Sequence, residues 1–382
     1  MTKTKKAGID GGNSSGKMRI GEHEFNIPSV YAEQINGAVS NFEMADIAKD
    51  ELIKNLDFTF VSTKALKATN KRYIIGEKVL KDRSSTPVEM ELNSNKAEDE
   101  LPVIVSLAGL ALEAMLSNEG KDKITASYDL SVALPYQTMK KGYGDTHSDR
   151  FIGTHELIFH HPSGRNVNIA INIEYAKSMT EGAAGAWGVV YDDKGKLKKR
   201  DLVINGETVP VTFENRTILH TDIGAGSTEL VVTNGVKYDP VLSQGLNYGV
   251  KKTIEDVIVL WNDTHDRPID SVAEFNDIYI NAHHDIHTEL RSVSRPYLEA
   301  LAKSLAIKIK NMRDKLKDNP LTFIYGGGAI ILKEYLTDAL KERNSLKNVF
   351  FLEEPVFVNA KGLYVFTTSP IFDQLKKTTI QG

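Results

Sequence analysis

Apolar and polar positions along this 382-residue chain follow two periods, and the change from one to the other marks out its elements. Lys6 to Asp10 and Met18 to Ile20 read as short strands around a polar, glycine-rich turn. Leu101, Val105, Ala108, Leu112 and Met115 recur at three- and four-residue steps, which predicts a helix over Leu101 to Leu116 packed on a sheet. Tyr128 to Leu134 alternates as a strand does and stops at Pro135. His155 to Phe159 and Val167 to Ile173 flank Pro162-Ser163-Gly164-Arg165, a hairpin signal. Glu181 to Tyr191 is rich in small residues and predicts a close-packed helix, whereas residues 81–100 are polar and charged and read as a loop.

The second half repeats part of this plan. Leu202-Val203-Ile204 and Val209-Pro210-Val211 flank Asn205-Gly206, a strong two-residue hairpin signal. Thr217 to Asp222 then leads into another glycine turn and Glu229 to Thr233 leads out, as at the N-terminus. This weak internal duplication predicts two related domains. Gly245 to Trp261 reads as a turn followed by a helix. Pro296 to Leu316 predicts the clearest helix, with Leu298, Leu301, Leu305, Ile309, Met312 and Leu316 on one stripe. Burying that stripe contributes roughly 10 kcal/mol before chain entropy is subtracted. Pro296 suits the start of this helix and Asn319-Pro320 its end. A strand over Leu321 to Tyr325, a third glycine turn and a helix over Ala329 to Arg343 follow. Two short segments, Val349 to Leu352 and Gly362 to Phe366, close the chain. The alternation of strands and helices predicts the α/β class.

Composition narrows what such a fold does. At 41% hydrophobic residues, the chain can build two cores. Its 47 basic and 51 acidic residues leave a formal charge of −4, which argues against strong direct DNA binding. The absence of cysteine excludes disulfides, thiolate catalysis and cysteine zinc sites. Met1-Thr2-Lys3-Thr4-Lys5-Lys6 is basic like the start of a signal peptide, but Asp10 interrupts any apolar segment after it. No run of about 18 uncharged apolar residues exists, so a soluble, cytoplasmic protein without direct membrane contact is expected.

The candidate chemistry sits in three glycine turns, each after a short apolar run. They are Ile9-Asp10-Gly11-Gly12-Asn13-Ser14-Ser15-Gly16-Lys17, Thr221-Asp222-Ile223-Gly224-Ala225-Gly226-Ser227-Thr228 and Phe323-Ile324-Tyr325-Gly326-Gly327-Gly328-Ala329. Glycine frees backbone N–H groups to face an anion. Asp10 and Asp222 each precede the glycines, where a carboxylate could hold Mg²⁺ on a polyphosphate. A single Asp-Gly turn is an ordinary hairpin; two in matching context plus a third glycine turn favour a nucleotide. Lys17 could return its ammonium to the β- or γ-phosphate, or be an exposed strand lysine. Ser14, Ser15, Ser227 and Thr228 supply hydroxyls at the loop tips. Glu181, opening its helix, could orient a water against the γ-phosphate or merely answer the helix dipole. His283 and His287 would share a helix face with His284 beside them, but no third ligand accompanies them, and a polar surface helix is the simpler reading. The basic run Lys194 to Arg200 reads as a solvated loop.

At these residues the sequence resembles the actin superfamily, which also contains Hsp70 and the sugar kinases. Asp10-Gly11-Gly12-Asn13 with Lys17 is similar to its first phosphate motif, Asp222 to Thr228 to its second, and Tyr325 to Ala329 to its adenosine motif. Within the superfamily the likeness is to plasmid-segregation actins of the ParM type. It is carried by Tyr128-Asp129-Leu130-Ser131-Val132-Ala133-Leu134-Pro135, by Met179-Thr180-Glu181 and by Val358-Asn359-Ala360-Lys361-Gly362-Leu363-Tyr364. The resemblance implies two ribonuclease-H-like domains, residues 1–177 with 358–382 and residues 178–357, with a nucleotide cleft between them. It implies an ATPase or GTPase that binds Mg²⁺ with ATP or GTP and polymerises with itself into a helical filament. It further implies a DNA-binding adaptor on plasmid centromere DNA as partner. Asp10 and Asp222 would hold the metal. Gly11, Gly12, Asn13, Ser14, Ser15, Lys17, Gly224, Ala225, Gly226 and Ser227 would hold phosphates, and Gly326, Gly327 and Gly328 would flank the nucleoside. Glu181 matches the group's water-activating glutamate. A phosphotransferase of the sugar-kinase branch and a non-polymerising nucleotide-binding regulator remain alternatives.

Overall fold

The structure is a computed structural model that describes residues 3–34, 47–82, 84–91, 94–204, 206–316 and 320–381. Met1, Thr2, Arg83, Asn93, Asn205 and Asn319, on which parts of the sequence reading fall, lie outside the described residues. The chain divides into two compact units, Met1–Lys196 with Asn359–Gly382 and Leu197–Val358. No helix among the described residues is long and apolar enough to cross a membrane.

The first unit opens with β1 (Lys5–Gly11), β2 (Ser15–Ile20), β3 (His23–Pro28) and β4 (Val30–Gln34). A 3-10 turn over Lys49–Asn55 precedes β5 (Asp57–Ser62), β6 (Lys71–Ile75), α1 (Glu77–Lys81) and β7 (Val88–Glu89). Then come α2 (Leu101–Leu116), β8 (Lys123–Leu134), α3 (Tyr136–Lys140), α4 (Gly144–Phe151), β9 (Gly153–His160), β10 (Asn166–Thr180) and α5 (Glu181–Val190). The ten strands form one sheet in the order β3-β2-β1-β8-β10-β9-β5-β6-β4-β7. β10 is long because it pairs over different spans with its two neighbours, β9 and β8. Its first half pairs with β9, and beyond an irregularity between Ile173 and Tyr175 it continues along β8 to Thr180. That run delivers Glu181 to the strand end beside β8. Helix α2 is buried from Leu101 to Met115 on every side, not only along the predicted stripe. Its near-continuous apolar sequence permits this, since no face of it has to meet water.

In the second unit, the predicted hairpin is β11 (Arg200–Ile204) with β12 (Glu207–Val211). It is followed by β13 (Thr217–Ile223), β14 (Thr228–Asn234), β15 (Lys237–Leu246), α6 (Lys251–Thr264), α7 (Val272–Ile280) and α8 (His287–Leu316). β16 (Leu321–Tyr325), α9 (Gly327–Glu342) and β17 (Val349–Phe351) complete it. The order β15-β14-β13-β16-β17 repeats that of β3-β2-β1-β8-β10 strand for strand. In both, the three leading strands are antiparallel and the last two run parallel to their neighbours.

Several elements depart from the sequence reading. Strand β7 lies within residues 81–100, read as a loop, and Gly362 to Phe366 is part of a helix over Val358–Thr367, with another over Pro370–Gln381 following it. Helix α8 starts at His287, so Pro296 lies inside it. Pro296 and Ser292 are both on the exposed face, so the carbonyl that the proline cannot serve meets water and the helix continues. The predicted stripe holds: Leu298, Leu305, Ile309 and Met312 are buried, with Leu301 and Leu316 packed against them.

The chain returns to the first unit through α10 (Val358–Thr367) and α11 (Pro370–Gln381). Helix α10 touches α5 backbone to backbone: a β-carbon on Gly362 would stand 1.8 Å from the Ala184 carbonyl oxygen. Trp187 of α5 packs on Phe366 of α10 with ring centroids 5.2 Å apart. These contacts hold α5 against α10 within the first unit, which runs to Lys196 before the chain enters the second.

Candidate functional site

The first glycine turn is the connection between β1 and β2, paired in the register Asp10 opposite Lys17 and Gly11 opposite Gly16. The Gly12 N–H donates to the Asp10 carbonyl at 3.0 Å. Ser29, between β3 and β4, clamps the turn twice: its N–H donates to the Ser14 carbonyl at 3.0 Å and its hydroxyl to the Gly12 carbonyl at 2.6 Å. Helix α2 lies close behind, because β-carbons on Gly11 and Gly16 would meet Pro102 at 3.2 Å and Val105 at 2.7 Å. A β-carbon on Gly12 would stand 3.0 Å from Lys17 Nζ, which places that ammonium against the loop backbone.

Asp10 is 8% exposed. Its Oδ2 accepts from Asn359 Nδ2 of α10 at 3.3 Å. Its Oδ1 accepts no hydrogen bond among the described residues and faces Lys96 Nζ at 3.8 Å. Glu181 is the first residue of α5, and its carboxylate accepts from the same Lys96 ammonium. Burial pushes the Glu181 carboxyl up from the usual carboxylate range. The Asp10 charge adds to that, while Lys96 and Lys17 oppose it. The structure thus brings Asp10, Glu181 and Lys17 to one end of the β1–β8–β10 strands, where Lys96, a lysine that the sequence reading does not name, faces both carboxylates.

The second glycine turn joins β13 and β14, with Asp222 opposite Glu229. The same hairpin therefore carries a carboxylate where the first carries Lys17. The Gly224 N–H donates to the Ser227 carbonyl at 2.9 Å. The start of α6 holds the turn from outside: Val250 N–H donates to the Gly224 carbonyl at 3.2 Å and Lys251 N–H to the Ala225 carbonyl at 2.9 Å. Only glycine fits at Gly249, where a β-carbon would stand 2.2 Å from the Gly224 carbonyl oxygen.

The third turn packs directly on the second. β16 runs parallel to β13 with Tyr325 opposite Asp222. Gly326 has φ +91°, and a β-carbon there would stand 2.4 Å from Asp222 Oδ1. Gly328 packs on Ile223, whereas Gly327 faces open space. Asp222, Gly224, Ala225, Gly226, Ser227, Gly326, Gly327 and Gly328 therefore form one group in the second unit. Asp10, Gly11, Gly12, Asn13, Ser14, Ser15, Lys17 and Glu181 form the other, in the first.

His283 and His284 occupy a turn ahead of α8 rather than a shared helix face with His287, because α8 starts only at His287. His287 Nδ1 is instead engaged with the Ile278 carbonyl at 3.0 Å. Among the described residues no group of three or more histidine, aspartate or glutamate side chains is poised to hold a metal unaided. In the basic run, Asp192 closes a turn by accepting the Lys194 and Lys196 N–H groups at 3.0 and 2.8 Å, and Lys194 and Lys196 are exposed. Lys96, Ser29 and Gly249 carry no periodic or motif signal. Asn359 lies within a segment whose family likeness is legible, but its contact with Asp10 is not.

Residues 8–183 match the family of actin-like proteins at their N-terminal domain. No curated protein sequence matches the chain. Among solved structures it is similar to the actin-like protein Alp7A, with 19% identity, 98% of each chain covered and a TM-score of 0.74. It is also similar to the Bacillus thuringiensis ParM solved with ATP (16% identity, 97% of this chain and 99% of that one, TM-score 0.65). The apo pSK41 ParM is alike at 12% identity, 98% and 99% coverage and TM-score 0.65. At these identities the likeness establishes the fold, which is actin-like.

Proposed function

We propose that this chain, actin-like in fold and carrying the actin-like N-terminal domain over residues 8–183, is a filament-forming NTPase that drives plasmid DNA segregation. The observation that carries the reading is the Asp–glycine hairpin repeated on the same five-strand order in both units, with a third glycine turn packed on the second aspartate. The structures of Bacillus thuringiensis ParM with ATP, ADP and AMPPNP support nucleotide as the ligand.

Each unit carries residues suited to a magnesium nucleotide, ATP or GTP. Gly11, Gly12, Asn13, Ser14 and Ser15, with Gly224, Ala225, Gly226 and Ser227, offer backbone N–H groups and hydroxyls to phosphates. Lys17 adds a point charge over the first loop. Asp10 and Asp222 fit a Mg²⁺ site: they are 8% and 6% exposed, and Asp10 Oδ1 accepts no hydrogen bond among the described residues. Mg²⁺ needs only one or two such carboxylates when phosphate and water supply the rest, and it would neutralise charge on the transferring phosphoryl group. Gly327, which faces open space, leaves room for a nucleoside to approach the backbone with Gly326 and Gly328. Glu181 accepts the proton of the attacking water, or orients it.

Hydrolysis is coupled to assembly. The triphosphate form favours a head-to-tail contact with a second copy, and such heterologous contacts generate a helical filament. A cytoplasmic DNA-binding adaptor on plasmid centromere DNA links the filament to its cargo. Isothermal titration with Mg·ATP and Mg·GTP tests the site. Wild type binds at least one of them, and Asp222→Ala binds neither. Retained affinity in Asp222→Ala contradicts the metal role.

A further inference from the structure

Lys96 lies in the polar segment between β7 and α2, yet it is 3% exposed. Arg150 of α4 pins that segment in place. One guanidinium nitrogen donates to the carbonyls of Ala97 at 2.7 Å and Asp99 at 2.8 Å, and another to the carbonyl of Ala65 at 3.1 Å. Two local turns tighten it further, from Ala97 N–H to Asn95 Oδ1 at 3.2 Å and from Leu101 N–H to Asp99 Oδ1 at 2.9 Å. The lysine is thereby carried across Gly11, where a β-carbon would stand 3.9 Å from Lys96 Cε. Its ammonium reaches Glu181 Oε1 and comes within 3.8 Å of Asp10 Oδ1.

The fold does not need this ion pair to join its elements. β1 and β10 are both hydrogen-bonded to β8 along their length, and a buried ion pair is a poor source of stability. What the pair does is select one orientation of a carboxylate that sits near a second carboxylate. Without the cation between them the two like charges repel, and Glu181 is free to turn away.

We propose that Lys96 is a positioning residue for Glu181: its ammonium holds the Glu181 carboxylate beside Asp10 and the first glycine loop, and Arg150 holds Lys96. This assignment rests on the NTPase reading, because Glu181 needs a water to act on.

The test is steady-state phosphate release and Mg·ATP affinity of the full chain, for wild type, Lys96→Gln, Lys96→Arg, Glu181→Gln and the double variant Lys96→Gln/Glu181→Gln. Lys96→Gln is expected to lower kcat at least about 10-fold while the affinity for Mg·ATP stays within about threefold. Lys96→Arg keeps the cation and recovers part of the lost turnover. The double variant is no slower than Glu181→Gln alone, because residues that act as one unit are non-additive. Should Lys96→Gln fail to fold, the double variant, with a neutral pair, still gives the comparison with Glu181→Gln. Wild-type kcat in Lys96→Gln overturns the assignment. So does a double variant slower than Glu181→Gln by at least about 10-fold. A wild-type chain that releases no phosphate from Mg·ATP or Mg·GTP overturns the NTPase reading itself, an outcome distinct from failure in the variants alone.

Discussion

Burial disfavours the charged form of Glu181, and the nearby Asp10 charge disfavours it further, so its ionised state depends on Lys96 and Lys17. A carboxylate held this way is suited to accept a proton from water. Glu181→Ala should therefore bind nucleotide and polymerise, yet release phosphate about 100-fold more slowly. Wild-type rates of phosphate release in that variant would remove Glu181 from the chemistry. Two histidines make a second residue-level statement. His220 and His147 are each pushed down to about 3, both mainly by burial and His147 also by the Lys96 and Arg150 charges. Between pH 6.5 and 3 the unfolded chain takes up these protons and the folded chain does not, so stability falls as pH falls. At pH 5 the loss relative to pH 7 is about 2 kcal/mol for each histidine. Urea unfolding at the two pH values should show a smaller loss in His220→Gln than in wild type. Equal losses in the two would mean that His220 takes up its proton in the folded state as well.

At the scale of elements, α5 and α10 meet with no room for a side chain, since Gly362 would press a β-carbon to 1.8 Å from the Ala184 carbonyl oxygen. Gly362→Ala should lower stability by about 3 kcal/mol. Gly327→Ala, at a helix start facing open space, should change it by less than about 1 kcal/mol. Chemical denaturation of the two variants checks the contrast, and equal effects would contradict the packing. Elements with strong local signals were legible from the sequence: the apolar run of α2, the β9–β10 hairpin around Pro162 to Arg165, and the stripe of α8. The start of α8 was not, because a proline on an exposed face reads as a beginning when it lies mid-helix. Strand β5 carries the alternation Phe58, Phe60, but its pairing with β9 spans nearly a hundred residues, and periodicity says nothing of partners so distant. The same limit applies to the site. Glycine turns announce themselves through spacing, and so Asp10 and Asp222 were readable. Lys96 and Asn359 reach Asp10 only through tertiary placement, from a polar loop and from a helix some 350 residues on.

For the whole molecule, the repeated five-strand order is the feature from which the proposed function grows. A nucleotide can shift the chain between conformations only by as much as it binds one better than the other. On the proposed reading the γ-phosphate would supply that difference, and hydrolysis would withdraw it from the filament. The formal charge of −4 argues against strong direct DNA binding, which is why the proposed function includes an adaptor between filament and plasmid. Right-angle light scattering of the purified chain with Mg·ATP or Mg·GTP, recorded together with phosphate release, tests assembly and turnover in one trace. The expected signal rises after nucleotide is added and decays as phosphate accumulates. Scattering that stays flat through complete hydrolysis, or phosphate passed to a small molecule with no scattering at all, would contradict a filament-forming NTPase.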